Sequence, residues 1–139
     1  MNILDARSKE LRKLIVQMVE AERRGHIGPA LSIVEVIRVL YDSFLKYDST
    51  NPFWPERDRF ILSKGHGCLA LYAVLSDKGF FPKDKLFNFC KHDSFLGGHP
   101  EMNKAPGIEA TTGALGHGLP IGVGIAIAGK IQKKNHIMY

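Results

Sequence analysis

Apolar side chains recur at helical spacing through Leu4, Leu11, Leu14, Ile15, Met18 and Val19, while Arg7, Lys9, Glu10, Arg12, Lys13 and Glu20 fill much of the remainder. This pattern predicts an amphipathic helix with its stripe turned inward, ending before Gly25. Gly25-His26-Ile27-Gly28-Pro29 reads as a turn. Ser32, with Glu35 three residues on, has the spacing of a capping box and predicts the start of a second helix. Its apolar face would carry Ile33, Val36, Ile37, Leu40, Tyr41 and Phe44, broadened by Val34 and Val39 to a nearly buried helix. Residues 46–58, punctuated by Asn51-Pro52 and Trp54-Pro55, read as a loop.

Phe60-Ile61-Leu62-Ser63 is a short apolar run whose length suits a buried parallel strand better than a helix. Gly65-His66-Gly67 follows directly, then a helix carrying Leu69, Leu71, Tyr72, Val74 and Leu75 and stopped by Gly79 as a C′ residue. Such a strand–loop–helix unit sets His66 where ligand sites of α/β proteins favour the carboxyl ends of strands. Pro82 opens a short helix with Leu86, Phe87 and Phe89, and residues 92–101 form a loop containing Gly97-Gly98-His99-Pro100-Glu101. From Leu119 to Ala128, Gly and Ala interleave with Ile and Val, and Pro120 suits a first helical turn. This predicts a central, buried helix whose small residues admit a close neighbour. His136-Ile137-Met138-Tyr139 then reads as the start of another buried strand. The expected architecture is α/β, a parallel sheet with helices on both faces. A strand opening at the last residues implies a fragment of a longer chain, incomplete at its C-terminus.

Composition narrows the function classes. The 139 residues are 45% hydrophobic, enough for one compact domain and too apolar for disorder. The net charge of +5 comes from 19 basic and 14 acidic residues with no basic arm and no basic–aromatic interleaving, so no nucleic-acid platform is expected. A basic surface suits anionic metabolites. Cys68 and Cys90 form neither a disulfide framework nor a metal-ligand spacing, which leaves a cytoplasmic setting as the expectation. No apolar signal core opens the chain, and the Gly- and Pro-punctuated run near its end is too short in strong hydrophobes for a membrane span.

The candidate chemistry lies in glycine-rich loops. Pro106-Gly107-Ile108-Glu109-Ala110-Thr111-Thr112-Gly113-Ala114-Leu115-Gly116-His117-Gly118 is neither a dinucleotide fingerprint nor a P-loop, and reads from composition as a ligand loop feeding a helix start. His26, His66, His99 and His117 each stand beside a glycine. Four so placed point to a polar site built from loops, because imidazole hydrogen-bonds hydroxyls and phosphates and moves protons near neutral pH. No zinc spacing and no hydrolase elbow accompanies them.

Four stretches together carry a family resemblance: Gly25-His26-Ile27-Gly28 with Leu31-Ser32, Arg57-Asp58-Arg59-Phe60-Ile61-Leu62-Ser63-Lys64-Gly65-His66, Gly98-His99-Pro100-Glu101, and Pro106 to Gly113 with Leu115-Gly116. In this order they resemble the N-terminal part of transketolase, above all the short N-terminal subunit of transketolases split into two chains. Related thiamine enzymes such as deoxyxylulose-phosphate synthase resemble them less well. The resemblance covers nearly all of residues 1–139. It implies the N-terminal portion of a thiamine-diphosphate-binding domain and the transfer of a two-carbon ketol unit from a ketose phosphate to an aldose phosphate through a thiamine-diphosphate adduct. The pentose phosphate pathway is the setting so implied.

By the same resemblance, His66 lies by the cofactor diphosphate, Gly113 and Leu115 contact the cofactor mainly around its pyrimidine, and His26 and His99 face the donor sugar and act as the catalytic pair. Glu109 matches no cofactor-activating acid, since the family carries that residue on a separate pyrimidine-binding domain. That domain implies a partner, a C-terminal subunit or domain, in a dimer or higher assembly whose active site lies between protomers. The magnesium or calcium ion that bridges to the diphosphate is expected through residues beyond Tyr139, so residues 1–139 alone are expected to be inactive and to bind the cofactor weakly. Two departures from the family pattern stand in the last loop: Ala114 replaces the usual Pro or Ser, and His117 replaces a usual Gln. A non-catalytic assembly subunit and another thiamine-dependent acyl or ketol transferase are the competing readings.

Overall fold

The structure, a computed structural model, describes residues 4–139. Helix α1 (Ala6–Glu22) starts at Asp5, whose carboxylate accepts from the Ser8 N–H at 2.8 Å, and ends at Arg23 in the left-handed conformation. Its buried row of Leu11, Leu14, Ile15 and Met18 is the expected stripe. Helices α2 (Ile27–Leu31) and α3 (Val34–Val39) follow, and α3 runs into a wider π turn over Leu40–Phe44. A 3-10 turn at Gly65–Gly67 leads into α4 (Cys68–Asp77). A 3-10 helix over Lys83–Asn88 buries Leu86, and α5 (Gly118–Ile131) follows a long stretch without helix.

The core is centred on α4, whose residues Cys68 to Ser76 are all buried. Helices α1, α2 and α3 pack around it. The helix stops where Gly79 takes φ +84°, as expected of a C′ residue. Burying this one helix on all sides explains why its sequence shows little polar–apolar alternation.

Several expectations are corrected. The parallel sheet flanked by helices is not there: among the described residues the fold is helical, with no β-strand. Phe60-Ile61-Leu62-Ser63 and the last four residues do approach each other, but only as an isolated parallel bridge between Arg59 and Met138. Three backbone bonds make it, from the N–H groups of Arg59, Ile61 and Tyr139 to the carbonyls of Ile137, Tyr139 and Arg59 at 2.8, 3.1 and 2.8 Å. Ile61 and Leu62 are buried, but no residue of 136–139 is, and Ile137 is exposed, so the expected burial of the last run is corrected too; a strand also needs neighbours paired along several residues. Buried Asp58 braces this bridge, accepting from the Ile137 N–H at 2.7 Å and the Lys46 N–H at 2.9 Å.

Helix α5 is not the central buried helix. Its buried residues are Gly118, Gly122 and Gly129, while Leu119, Val123, Ile127 and Ile131 are exposed. The glycine row faces the bridge: a Cβ on Gly118 would sit 2.5 Å from Ser63 Cα, one on Gly122 3.6 Å from Met138, and one on Gly129 2.9 Å from the His136 ring. A groove of about 350 Å³ runs along this contact, with Ile61, Leu119, Val123 and Met138 among its walls. The capping box also fails to form. Ile33 is the residue before α3, the Ser32 hydroxyl donates to the Pro29 carbonyl, and Glu35 accepts both prongs of Arg12. In α3 and the π turn, Val34, Ile37 and Tyr41 are buried, whereas Val36, Val39 and Phe44 face outward.

The glycines of α5 thus differ in what surrounds them. Gly118→Ala would overpack against backbone and is expected to destabilise by about 1–3 kcal/mol. Gly124 has nothing within 4 Å of its would-be Cβ. Gly124→Ala should therefore be neutral or stabilising by up to about 1 kcal/mol, through helix propensity alone. Urea unfolding of the two variants checks the contrast; equal midpoints would contradict the packing described.

Candidate functional site

Three loops bring three histidines together. His26 precedes α2, after a turn in which Gly25 takes φ +118° and packs against Leu69, Val19 and Phe89. His66 occupies the 3-10 turn that opens α4. His99 stands in the loop that returns from the 3-10 helix. The ring centroids of His26 and His66 are 4.7 Å apart, those of His66 and His99 4.7 Å, and those of His26 and His99 5.6 Å. His26 is exposed and the other two are half-buried, so the cluster opens to solvent on the His26 side.

Close backbone packing supports the cluster. A Cβ on Gly65 would meet the Gly113 N and Thr112 Oγ1 at 2.8 Å, and one on Gly113 would lie 3.2 Å from the His99 ring. Gly113 also takes φ +154°. The Thr112 N–H donates to the Pro100 carbonyl at 3.0 Å, which ties the glycine-rich loop to the His99 loop. Lys64 Nζ donates to the Ser32 hydroxyl at 2.8 Å and so links the His66 loop to the α2–α3 turn.

The surroundings of His99 disfavour its charged form. Burial, and then the neighbouring His66 and His26, lower its pKa from the ordinary imidazole value. His66 Nδ1 and His99 Nε2 are buried with no hydrogen-bond partner among the described residues. Such nitrogens are costly unless a ligand or solvent satisfies them. A neutral imidazole offers one donor and one acceptor, so the cluster can hydrogen-bond hydroxyls and exchange a proton.

Of the residues singled out from the sequence, His26, His66, His99 and Gly113 converge. Leu115 is 65% exposed in the following turn. His117 is exposed at the start of α5, offers no cap bond, and is not one of the three rings in contact. Glu109 serves an ion pair: Arg57 binds it with two bonds of 2.9 Å, and Arg59 approaches at 3.4 Å. Burial pushes the Glu109 carboxyl up, and Arg57 pulls against it. Among the described residues no group of three or more His, Cys, Asp or Glu side chains is arranged to hold a metal ion. No helix among them is long and apolar enough to cross a membrane.

Sequence reasoning missed the groups that hold His99. The Tyr72 hydroxyl lies 3.0 Å from the Gly97 carbonyl and 2.9 Å from that of His99, and the Cys68 thiol donates to the Gly98 carbonyl at 3.2 Å. The available signal was a phenol and a thiol one turn apart in the first half of a helix whose other residues up to Leu75 are apolar.

Residues 5–137 match the family model described as transketolase, thiamine diphosphate binding domain. The chain belongs to the transketolase family. It is 41% identical over 136 residues to a 6-deoxy-6-sulfo-D-fructose transketolase subunit of Clostridium sp. (strain MSTE9), covering 98% of this chain and 50% of that one. It is 44% identical over 137 residues to an apulose-4-phosphate transketolase subunit of Actinobacillus succinogenes, again 98% and 50%. The chain therefore spans about half the length of these curated relatives. Among solved structures it is similar to a transketolase from Leishmania mexicana, with a TM-score of 0.79 and 39% identity over 87% of this chain and 18% of that one. A transketolase from Campylobacter jejuni gives 0.76 and 35%, over 88% and 19%. The transketolase membership rests on the whole stretch from α1 to the bridge, including every loop of the histidine cluster.

His99 carries a testable electrostatic consequence. In this transketolase-family chain its NMR titration midpoint should lie below the ordinary 6.5. His66→Gln should raise it part of the way, because one like charge goes while burial stays. A group with a lowered folded pKa binds fewer protons folded than unfolded, so it costs stability as pH falls below the ordinary value. The stability gap between wild type and His99→Gln should accordingly shift against wild type from pH 7.5 to pH 5. A pH-independent gap would contradict the assigned environment.

Proposed function

We propose that this chain is the diphosphate-binding portion of a larger enzyme that moves a two-carbon ketol unit from a ketose phosphate to an aldose phosphate. The single observation that carries the reading is the meeting of His26, His66 and His99 within 4.7–5.6 Å, made possible by the close loop packing that Gly65 and Gly113 allow. Thiamine diphosphate fits the residues present: the buried His66 Nδ1 and His99 Nε2 lack hydrogen-bond partners among the described residues and can serve a polar ligand. When bound, that cofactor supplies the electron sink for breaking and making the carbon–carbon bond.

The chain's own residues divide the remaining work. His66 binds an anionic diphosphate oxygen, and Gly113 and exposed Leu115 border the cofactor's ring. His26, on the open side, and His99, whose charged form is disfavoured, hydrogen-bond the donor sugar's oxygens and carry protons to and from them. The relatives named as subunits favour a second chain or domain that completes the site, in a dimer or larger assembly. We assign the bridging magnesium to residues other than those described. The free thiols of Cys68 and Cys90 accord with a reducing, cytoplasmic setting.

The assay combines this chain, its complementary half, thiamine diphosphate, magnesium and a panel of ketose and aldose phosphates. Ketol transfer is expected, and His26→Ala and His99→Ala should each lower kcat/KM by about 10² to 10⁴. Donor cleavage with no transfer to any sugar acceptor would point to a different thiamine-dependent transferase. Neither cleavage nor cofactor binding would mark a non-catalytic subunit.

A further inference from the structure

His99 follows two glycines, and its buried Nε2 has no hydrogen-bond partner among the described residues to orient the ring. A Gly-Gly pair is the most permissive backbone available. Where the ring sits must therefore be set by what grips the backbone of residues 97–99. Three consecutive carbonyls, those of Gly97, Gly98 and His99, face donors on α4, and those donors are Tyr72 and Cys68. The two lie four residues apart, on one face of the helix. Both are buried, Tyr72 at 1% and Cys68 at 0% exposure, so water does not compete for the bonds.

We infer that Tyr72 is a positioning residue for His99: its hydroxyl, aided by the Cys68 thiol one turn earlier, fixes the 97–99 backbone so that the His99 ring meets His66 and His26. The phenol has one hydrogen for two carbonyls and shares it between them. That arrangement pins both sides of Gly98, while the thiol holds the carbonyl between. His66 is built into the turn that opens the same helix. One rigid element thus sets both members of the 4.7 Å pair, and the spacing does not depend on either loop alone. Burial keeps Tyr72 protonated, and pushes the Cys68 thiol up to about 12, so both remain donors at neutral pH.

The consequence for turnover rests on the proposed ketol transfer, but the geometric claim does not. The test uses the assembled enzyme with histidine-labelled chain. Tyr72→Phe keeps the ring that packs 6.2 Å from Phe89 and removes only the hydroxyl. It should shift the His99 ring resonances and move its titration midpoint toward that of free imidazole, with the His26 resonances nearly unchanged. It should lower kcat by about tenfold to a hundredfold, the scale of a misplacement near 1 Å, with donor KM changed less than about threefold. Cys68→Ser should retain wild-type resonances and kcat, and Cys68→Ala should move both in the direction of Tyr72→Phe. If Tyr72→Phe does not fold, the Cys68 pair decides alone.

Unmoved His99 resonances in Tyr72→Phe, or in Cys68→Ala where that pair decides, would overturn the inference while leaving ketol transfer standing. So would equal shifts of all three histidines. Absence of ketol transfer in wild type would instead sink the proposed activity, and the resonances would still report on positioning.

Discussion

The burial of α4 from Cys68 to Ser76 is the constraint on which the rest of the structure depends. Helices α1, α2 and α3 pack around this one apolar rod, and its N-terminal turn carries His66. A buried helix has fixed rotamers and little room to shift. Its Tyr72 hydroxyl and Cys68 thiol therefore become fixed donors, and the 97–99 loop takes its shape from them. The histidine cluster is loop-built in sequence but referenced to a helix in space.

Crowding three imidazoles also sets the chemistry of His99. Burial first, and then the neighbouring His66 and His26, disfavour charge on His99, while exposed His26 keeps the cluster open to solvent and solute. Glycines at 65 and 113 make this crowding sterically possible. Either Cβ would press on backbone or on the His99 ring, so a larger residue there would separate the loops that the cluster needs.

The far side of the molecule is organised differently. Asp58 and the Arg59–Met138 bridge join a mid-chain segment to the last residues, and α5 lays its glycine row across them. The apolar flank of α5 stays exposed in the described residues, in a chain that spans half the length of the relatives it matches. Arg57, Arg59 and Glu109 form a separate ion-paired group, which removes Glu109 from the candidate chemistry.

The order of the four glycine- and histidine-bearing stretches was enough to identify the family, because each loop's residues are consecutive in the chain. The stripe of α1 was equally legible, since a single-faced helix writes its burial into a 3.6-residue period. Strand pairing, the depth of α5 and the failure of the Ser32–Glu35 box were not, because each depends on neighbours that are distant in sequence. Phe60 to Ser63 announced burial and not its partner, and the small residues of α5 announced close packing and not which side it served. The convergence of His26, His66 and His99, and the grip of Tyr72 and Cys68 on the His99 loop, were decided by tertiary structure alone. Separations of 25 to 73 residues collapse to hydrogen-bond and ring-contact distances only when α4 is buried among its neighbours.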